Sequence, residues 1–495
     1  MNKYLIIILL IFQLNTLYSQ NDSISSKAQL SLQDVILIAG QHSPDALLAR
    51  HSFRSSYWEF RSYKAGKLPT LSLEASLPSL NRSLERVIQP DGSEKYIYRK
   101  SISNDANISL SQNIGITGGT LSISSGLQRF DQFRDSLTTS YMATPLSITL
   151  SQPINKFNSY RWEKKTEPMK FEKGKRSYIS SMEDISIKAI NLFFALANAQ
   201  LNNQIAKVNY QNADTLYKLG QGRYKIGIIA EDELLQLELS LINSGIELKK
   251  SQLDIIQNKS QLINFLGINK NTDIQLIIPD SVPSLTLNYN QTTELVNKNN
   301  PEIISQQLQL IEAEKNLAQQ KSAKGLQANL SMSLNLNKSS EYIENVYQNP
   351  NDGQVVQLGI SIPLVDWGKS KGQYKMAKSN MEVAKVTVEQ ARLQFEQNIF
   401  NEVMQFNFQK EQFLAACKAD TIAQMRYFIS KQRYMISKIS ILDLNTALTQ
   451  RDASRRSYLS SIQSFWTSYY NIRKLTLYDF FDAKDLSADY DGIVK

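Results

Sequence analysis

Few residues of this 495-residue chain have the types and spacing that active-site chemistry needs. Histidine occurs twice, at His42 and His51, and cysteine once, at Cys417. One cysteine cannot form a disulfide within the chain, and these three residues do not make a zinc site. No Ser/His/Asp pattern and no phosphate-binding loop is present. We therefore expect no enzyme activity, no cofactor and no metal, and we expect Cys417 to be a small packing residue in a helix.

Charge could also select a ligand. The chain has 55 lysines and arginines against 46 acidic residues, a net charge of +9. Much of the excess lies at 156–176 and 369–378, without a recognisable nucleic-acid-binding motif. We therefore expect no nucleic-acid partner.

The elements that position the remaining candidates begin with two strand-to-helix junctions. Residues 358–362 alternate like a half-buried strand, and Pro363 and Gly368 separate them from a long helical pattern. Residues 148–154, which include Pro153, lead into a second long helical run. Pro363 is expected to end strand pairing because it lacks an N–H donor, and Gly368 to permit the bend; the first junction has no equivalent glycine. Both junctions predict a sheet that continues directly into a helix.

Matched residues at fixed spacing indicate an internal repeat. Pro44 matches Pro301 at a spacing of 257 residues, and Pro153 matches Pro363 and Arg223-Tyr224 matches Arg433-Tyr434 at 210. The first copy is therefore 47 residues longer, and the excess lies between Pro44 and Pro153, where an additional hairpin occurs near 106–127. Apolar seams with alternating steps of three and four residues predict that the long helices pack as coiled coils, although a helical bundle would show the same seams.

These patterns predict the organisation of the chain. Residues 1–20 have the pattern of a cleavable secretory signal peptide, with no cysteine for a lipid anchor. Two repeats follow at 21–267 and 292–478, with a linker at 268–291 and a tail at 479–495. Each repeat is predicted to contain a helix, strands, a long helix and a return helix. The predicted ranges are strands 69–154, long helix 156–219 and return helix 231–266 in the first repeat, and strands 326–365, long helix 368–436 and return helix 441–475 in the second.

Polar stretches at 81–104, 128–142 and 338–354 are predicted to be loops between the strands. The first helix is expected to run from residue 30 to 65 and to end in aromatic residues, which fit either a membrane interface or core packing. No later window of eighteen residues is apolar, so an exported chain of this kind is secreted, periplasmic or inserted as a β-barrel. Four to six strands cannot close a barrel, and open edges are prohibitive in lipid, so several chains must share one.

Over nearly its whole mature length the chain resembles the TolC family of outer-membrane efflux channels. The resemblance rests on Ser151-Gln152-Pro153, on residues 361–368, and on two helix-turn-helix tips, 223–227 and 433–437. It implies a mixed α/β membrane protein: a homotrimer that shares a β-barrel in the outer membrane of a Gram-negative bacterium, continued by a long α-helical periplasmic barrel. The family usually has four strands per chain, and the extra hairpin here makes six or is a plug or loop.

The resemblance also assigns candidate residues and partners. The family places aspartates at a periplasmic constriction; Asp443 matches one such position, and the next falls at Thr446. Glu233 belongs to the matching acidic helix start of the first repeat, so the candidate gate residues are Asp443, Thr446 and Glu233. Capping is the alternative, because Ser440 and Asp443 also have the spacing of a capping box and acidic residues suit a helix N-terminus.

The tips are expected to meet a periplasmic membrane-fusion (adaptor) protein, which works with an inner-membrane RND or ABC transporter; plain connecting turns are the alternative. The candidate docking residues are Arg223, Tyr224, Gly227, Arg433, Tyr434 and Ser437, the last standing where the family usually has glycine. The expected function is thus the exit duct of a tripartite efflux or type I secretion system. A trimeric coiled-coil surface adhesin or a periplasmic scaffold is the competing interpretation.

Overall fold

The chain divides into two compact units, and each draws on both sequence repeats. The structure is a computed structural model that describes residues 27–133, 137–269, 273–436 and 438–494. The first unit contains the described residues up to His51, together with those of Tyr178–Asn299 and Asn398–Ala488. The second contains Ser52–Ser177, Asn300–Gln397 and the residues from Asp489 onward. The predicted signal peptide lies outside the described residues.

The helices of the two repeats match in length. The first repeat has α1 (Leu32–His42), α2 (Pro44–Ala65), α3 (Ser159–Lys225) and α4 (Glu231–Leu266). The second has α5 (Tyr289–Asn299), α6 (Pro301–Ala323), α7 (Lys369–Met435) and α8 (Ile441–Thr476), and a short α9 (Tyr490–Val494) follows. Both α3 and α7 have 67 residues, and both α4 and α8 have 36. None of the helices in the described ranges is long and apolar enough to cross a membrane.

The predicted single helix over residues 30–65 is wrong in one respect. The chain instead forms β1 (Lys27–Ser31), α1 and α2. Ser31 caps α1 through a capping box with Asp34, and Ser43, with extended backbone, separates α1 from α2. The predicted linker likewise contains β6 (Asp273–Ile277), which pairs in parallel with β1. The reason is burial, because Leu30, Ile274 and Leu276 are all in the core.

Six strands of the second unit form one antiparallel sheet. They are β2 (Thr70–Ile88), β3 (Glu94–Ile114), β4 (Gly119–Phe133), β5 (Leu137–Ile154), β7 (Gln327–Ser340) and β8 (Asn351–Ser361), paired in the order β2-β3-β4-β5-β7-β8. The first repeat thus contributes four strands and the second contributes two. The predicted extra hairpin is part of this sheet.

The sequence prediction of polar loops at 81–104 and 128–142 is wrong, because β2 to β5 run through them. Charged residues there pair across neighbouring strands: Arg86 with Glu94 and Arg99 with Glu85, each at 2.9 Å. The charged residues that favoured the prediction of a loop therefore form ion pairs that stabilise the pairing of β2 with β3. The loop predicted at 338–354 is shorter, because β7 continues to Ser340 and β8 begins at Asn351. Between them lies a one-turn helix, Ile343–Asn345.

Aromatic side chains fill the cores of both units. In the second unit Phe60 of α2 stacks on Phe171 of α3 with ring centroids 4.5 Å apart, and Phe53 is buried. Of the other aromatic residues of α2, Tyr57, Phe60 and Tyr63 are half-buried and Trp58 is exposed, so core packing accounts fully for Phe53 alone. In the first unit Phe406 packs on Phe465 at 5.5 Å. Cys417 lies on α7 and is exposed, so its predicted packing role is wrong.

The predicted C-terminal tail also contains regular structure. Strands β9 (Tyr478–Asp479) and β10 (Lys484–Asp485) pair with each other. Asp479 accepts a hydrogen bond from the Tyr469 hydroxyl at 2.7 Å and forms an ion pair with Arg473 at 2.8 Å. Arg473 also contacts Glu183 at 3.1 Å. This charged cluster joins the start of the tail to α3 and α8.

Candidate functional site

The two tips share a backbone hydrogen bond at equivalent positions. In the first, Ile228 N–H donates to the Arg223 carbonyl at 2.9 Å, and in the second Lys438 N–H donates to the Arg433 carbonyl at 2.9 Å. These bonds span five residues and satisfy carbonyls that the helix end leaves free. Gly227 has φ +74°, in the left-handed region where glycine is unstrained. The equivalent Ser437 lies outside the described residues.

Arg223 connects the first tip to the second. Its Nη2 donates to the Met435 carbonyl at 3.0 Å. Its guanidinium lies over the Tyr434 ring, 5.6 Å from the centroid. Because Met435 is the last residue of α7, this contact places a positive charge at the negative end of that helix.

The equivalent tyrosines of the two tips have different surroundings. Tyr434 is 3% exposed and packs in a cluster with Leu237, Ile441 and Leu444. Tyr224 is 42% exposed. Arg433, the equivalent of Arg223, is exposed as well. The chain therefore completes the packing around one tip and leaves the other open.

Glu233 is half-buried near the beginning of α4 and influences Tyr434. Burial raises the pKa of the Tyr434 phenol, the Glu233 carboxylate raises it further, and Arg223 opposes the rise. The three candidate residues therefore share one electrostatic environment. The sequence did not indicate this, because they come from different helices.

Asp443 forms the capping box that the sequence spacing suggested. Its backbone N–H donates to Ser440 Oγ at 3.2 Å, and its Oδ2 accepts from Ser440 N at 3.2 Å and Ser440 Oγ at 2.8 Å. Asp443 and Thr446 are both exposed. The Thr446 hydroxyl donates to the Leu442 carbonyl at 2.8 Å. In the first repeat Ala230 occupies the N-cap position of α4 and provides no side-chain cap.

A polar cleft beside the tips was not predicted from the sequence. It measures about 500 Å³, and its lining includes Asn209, Asn212 and Tyr427. Asn209 donates to Asp452 Oδ2 at 2.7 Å, and Arg451 lies 4.3 Å from the Tyr427 ring centroid. Spaced asparagines on α3 were the available signal, but they resemble an ordinary polar helix face.

The second junction bends after the sheet ends. The ladder ends at Ser361, two residues before Pro363, and Trp367 and Gly368 have φ +54° and +87°. Asp366 accepts hydrogen bonds from the N–H groups of Ser370 and Gly368, both at 2.9 Å, and caps α7. Hydrogen bonds from Ser370 and then Gly368 lower the pKa of Asp366.

The first junction makes its bend without a glycine. Pro153 pairs with Asn329 inside the ladder, and the chain turns at Asn155, which has φ +57°. Asparagine tolerates this region better than most residues. The Ser322 hydroxyl donates to the Asn155 carbonyl at 2.9 Å. The two junctions therefore share a left-handed residue but use different residue types.

The two faces of the six-stranded sheet differ in chemistry. One row across all six strands is small and polar, with Ser72, Ser109, Ser124, Ser147, Asn335 and Gly353 in successive register. The neighbouring row on the opposite face is apolar in five strands, with Leu71, Leu110, Ile123, Ile148 and Leu334, and ends at Gln354 of β8. Large apolar side chains on this face are exposed, for example Leu73 at 72% and Val356 at 67%. Such alternation is typical of a sheet between lipid and water.

Comparison with known proteins agrees with this arrangement. Residues 293–476 match the family model described as outer membrane efflux protein. The CmeC outer membrane channel of Campylobacter jejuni has a similar structure, with a TM-score of 0.65 and 16% identity over 93% of this chain and 88% of that one. The outer membrane protein VceC of Vibrio cholerae is similar with a TM-score of 0.60 and 15% identity, over 90% of this chain and 95% of that one. A membrane protein of Pseudomonas aeruginosa is similar with a TM-score of 0.64 and 11% identity, over 91% of each chain. No curated protein sequence matches the chain.

The predicted resemblance to the TolC family is thus confirmed, in sequence across most of the second repeat and in fold over nearly the whole chain. The mixed α/β fold class is confirmed with it.

Proposed function

We propose that this chain, with its outer membrane efflux sequence match and TolC-like fold, is a homotrimeric outer-membrane channel that conducts substrates passively out of the cell. The observation that carries the proposal is the two-faced sheet. Its apolar face suits lipid hydrocarbon, and its row of hydroxyl and amide side chains suits a water-filled lumen. No cofactor or enzymatic step is needed for passive conduction.

The open edges of the sheet support the sharing of one barrel among copies. Within the sheet of described residues, β2 and β8 each have one neighbour. Unpaired backbone groups in hydrocarbon cost several kcal/mol each, roughly, so these edges need partners. Pairing β8 of one copy with β2 of the next closes the barrel, and a homotrimer agrees with the resemblance.

The open tip supports the same assembly. Within the chain, Arg223 lies over Tyr434 and donates to the last carbonyl of α7. By the spacing of the repeats, the equivalent contact would place Arg433 over Tyr224 and let Arg433 donate a hydrogen bond to the Lys225 carbonyl. We propose that this contact forms between neighbouring copies, with Arg433 from one copy and Tyr224 and Lys225 from the next. A ring of alternating tips then buries each tyrosine once. A trimer contains three contacts of each kind.

The tips also suit the proposed partners. We propose that they form the periplasmic end of the duct and meet an adaptor protein, which connects the channel to an inner-membrane RND or ABC transporter. Ile226 and Ile228 are large and exposed around Gly227, and offer apolar contacts to helical hairpins of an adaptor. Asp443, Thr446 and Glu233 are proposed to line the constriction. Three copies of Asp443 would attract cations, and capping by Ser440 leaves its charge intact.

The chain is proposed to reside in the outer membrane of a Gram-negative bacterium, with a large periplasmic portion, after export by the 1–20 signal. The test is fractionation followed by reconstitution. We expect heat-modifiable trimers in the outer-membrane fraction that detergent extracts and that conduct ions in planar bilayers. Release by salt alone, or trimers without conductance, would contradict the channel and favour a scaffold or an adhesin.

A further inference from the structure

We propose that the strands β3 and β4 are wall strands, so that three copies close an eighteen-stranded barrel that admits larger solutes than a barrel of two hairpins per chain. The inference rests on the proposed channel function. It starts from the asymmetry of the repeats, because the first contributes four strands to the sheet and the second contributes two. A wider barrel extends the substrate class to bulkier solutes.

The strands β3 and β4 continue both faces of their neighbours. On the apolar face Leu110 of β3 pairs with Leu71 of β2 and with Ile123 of β4, which pairs with Ile148 of β5. On the polar face the hydroxyls of Ser109 and Ser72 are 2.9 Å apart. A plug inside a lumen has no reason to present an exposed apolar row in line with the outer wall. β3 and β4 therefore belong to the wall.

The turn between β3 and β4 is fixed at the base of the sheet. Asn158, next to the start of α3, donates from Nδ2 to the carbonyls of Gly115 and Ile116 at 3.1 and 3.2 Å. Gln152 of β5 donates to the Thr117 carbonyl at 3.2 Å. A Cβ on Gly119 would stand 2.5 Å from the Gln152 side chain, so glycine allows this close approach. The hairpin is thus anchored at the first junction.

Strand direction permits closure with all six strands. Consecutive strands alternate, so β2 leads away from the junction end and β8 returns to it. The two free edges therefore run in opposite directions, and β8 of one copy can pair antiparallel with β2 of the next. Removing β3 and β4 together would preserve this alternation. The chain is thus consistent with either barrel size, and the structure contains the larger number of strands.

Strand number sets the width. With strands about 4.8 Å apart and tilted by about 40°, eighteen strands give a backbone diameter of about 36 Å and twelve give about 24 Å. Barrels of sixteen to eighteen strands leave an aqueous channel. The row of serines would line such a channel with small side chains that occupy little of the bore.

The test is a deletion that keeps the register. Arg82 pairs with Lys100, Lys100 with Phe133 and Phe133 with Leu137. Replacing residues 83–136 with the natural turn 89–93 therefore joins β2 to β5 and removes β3 and β4. The matched control replaces only 83–99 with the same turn, which shortens β2 and β3 but keeps six strands.

The measurement is the largest polyethylene glycol that enters the channel from the β-strand side in a planar bilayer. We expect the limiting radius to fall by more than about one third in the deletion variant, because the backbone radius falls by that fraction while the layer of side chains inside it keeps its thickness, and to stay unchanged in the control. Equal limiting radii for the two variants would overturn the eighteen-stranded barrel but would leave the proposed channel function intact. Absence of channels from the unaltered chain would instead overturn the proposed function.

A label experiment on the full-length trimer decides the question if the deletion variant does not assemble. In a Cys417→Ala background, nitroxide labels are placed at Ile123→Cys and Ser124→Cys of β4, with Ile148→Cys and Ser147→Cys of β5 as controls. We expect the label at 123 to be relaxed by oxygen dissolved in lipid and the label at 124 by a water-soluble nickel chelate, as at 148 and 147. A water-accessible label at 123 beside a lipid-accessible one at 148 would identify a plug or an extracellular hairpin.

Discussion

The two repeats have matching helix lengths and the same hydrogen bond across their tips, yet the tips have different surroundings. Tyr434 is buried beneath Arg223 and Leu237, whereas Tyr224 is exposed. Ser440 caps α8, whereas Ala230 leaves α4 without a side-chain cap. Within one chain, therefore, only one of the two equivalent tyrosines is covered.

The largest effect is expected at the tyrosines. Tyr434→Ala removes a buried aromatic ring and should lower the local free energy of unfolding of the tip by about 3 kcal/mol. Tyr224→Ala should cost no more than about 0.5 kcal/mol within one chain, because its ring is exposed. Hydrogen exchange of tip amides in dissociated chains measures both. Equal protection losses would contradict the difference between the tips.

A pair of glycines on α3 gives the next effect. A Cβ at Gly220 would lie 2.5 Å from Leu237 Cδ1, whereas at Gly222 it would meet nothing within 4 Å. Gly220→Ala should therefore destabilise the tip by about 2 kcal/mol through overpacking. Gly222→Ala should stabilise it by up to about 1 kcal/mol, because alanine favours a helix. Thermal unfolding of the two variants distinguishes these signs, and two stabilised variants would show that Leu237 moves aside.

The two junctions also differ, because the left-handed residue is Gly368 in one and Asn155 in the other. Gly368→Ala places a side chain at φ +87° and should cost about 1.5 kcal/mol. Asn155→Gly keeps the bend at φ +57° accessible and should change stability by less than about 0.5 kcal/mol. The temperature at which the trimer dissociates on a gel reports both changes. A harmless Gly368→Ala would mean that the bend after β8 relaxes.

The smallest effect separates capping from the proposed cation ring. Ser440→Ala removes the cap and should lower helix stability by about 1 kcal/mol without altering ion selectivity. Asp443→Asn removes the charge and should reduce cation preference in planar bilayers. Ala230→Ser is the matched variant, because it adds a side-chain cap to α4 and should raise the stability of that helix. Unchanged selectivity in Asp443→Asn would leave Asp443 with capping alone.

Local pattern allowed much of the fold to be predicted. The spacing of 210 residues located both tips and both junctions, because a duplicated chain repeats the same helix lengths. The length of β2 to β5 could not be predicted, since Arg86, Glu94 and Arg99 read as loop residues until their cross-strand partners are known.

The site was only partly accessible from sequence. The cap at Ser440 and Asp443 is local and followed from spacing. The different burial of Tyr224 and Tyr434 did not, because it depends on α3 packing beside α7 and α8. The left-handed conformation of Asn155 did not follow from the sequence either, because glycine is the residue that this conformation favours.

Cross-linking of the open tip tests whether each copy covers Tyr224 of its neighbour. In a Cys417→Ala background, Tyr224→Cys combined with Arg433→Cys is treated with a short bis-maleimide, beside Arg223→Cys combined with Tyr434→Cys. We predict covalent dimers and trimers on a denaturing gel for the first pair and cross-linked monomers for the second. Monomers alone from the first pair, in trimers purified from the outer membrane, would contradict a ring in which each copy completes the tip of the next.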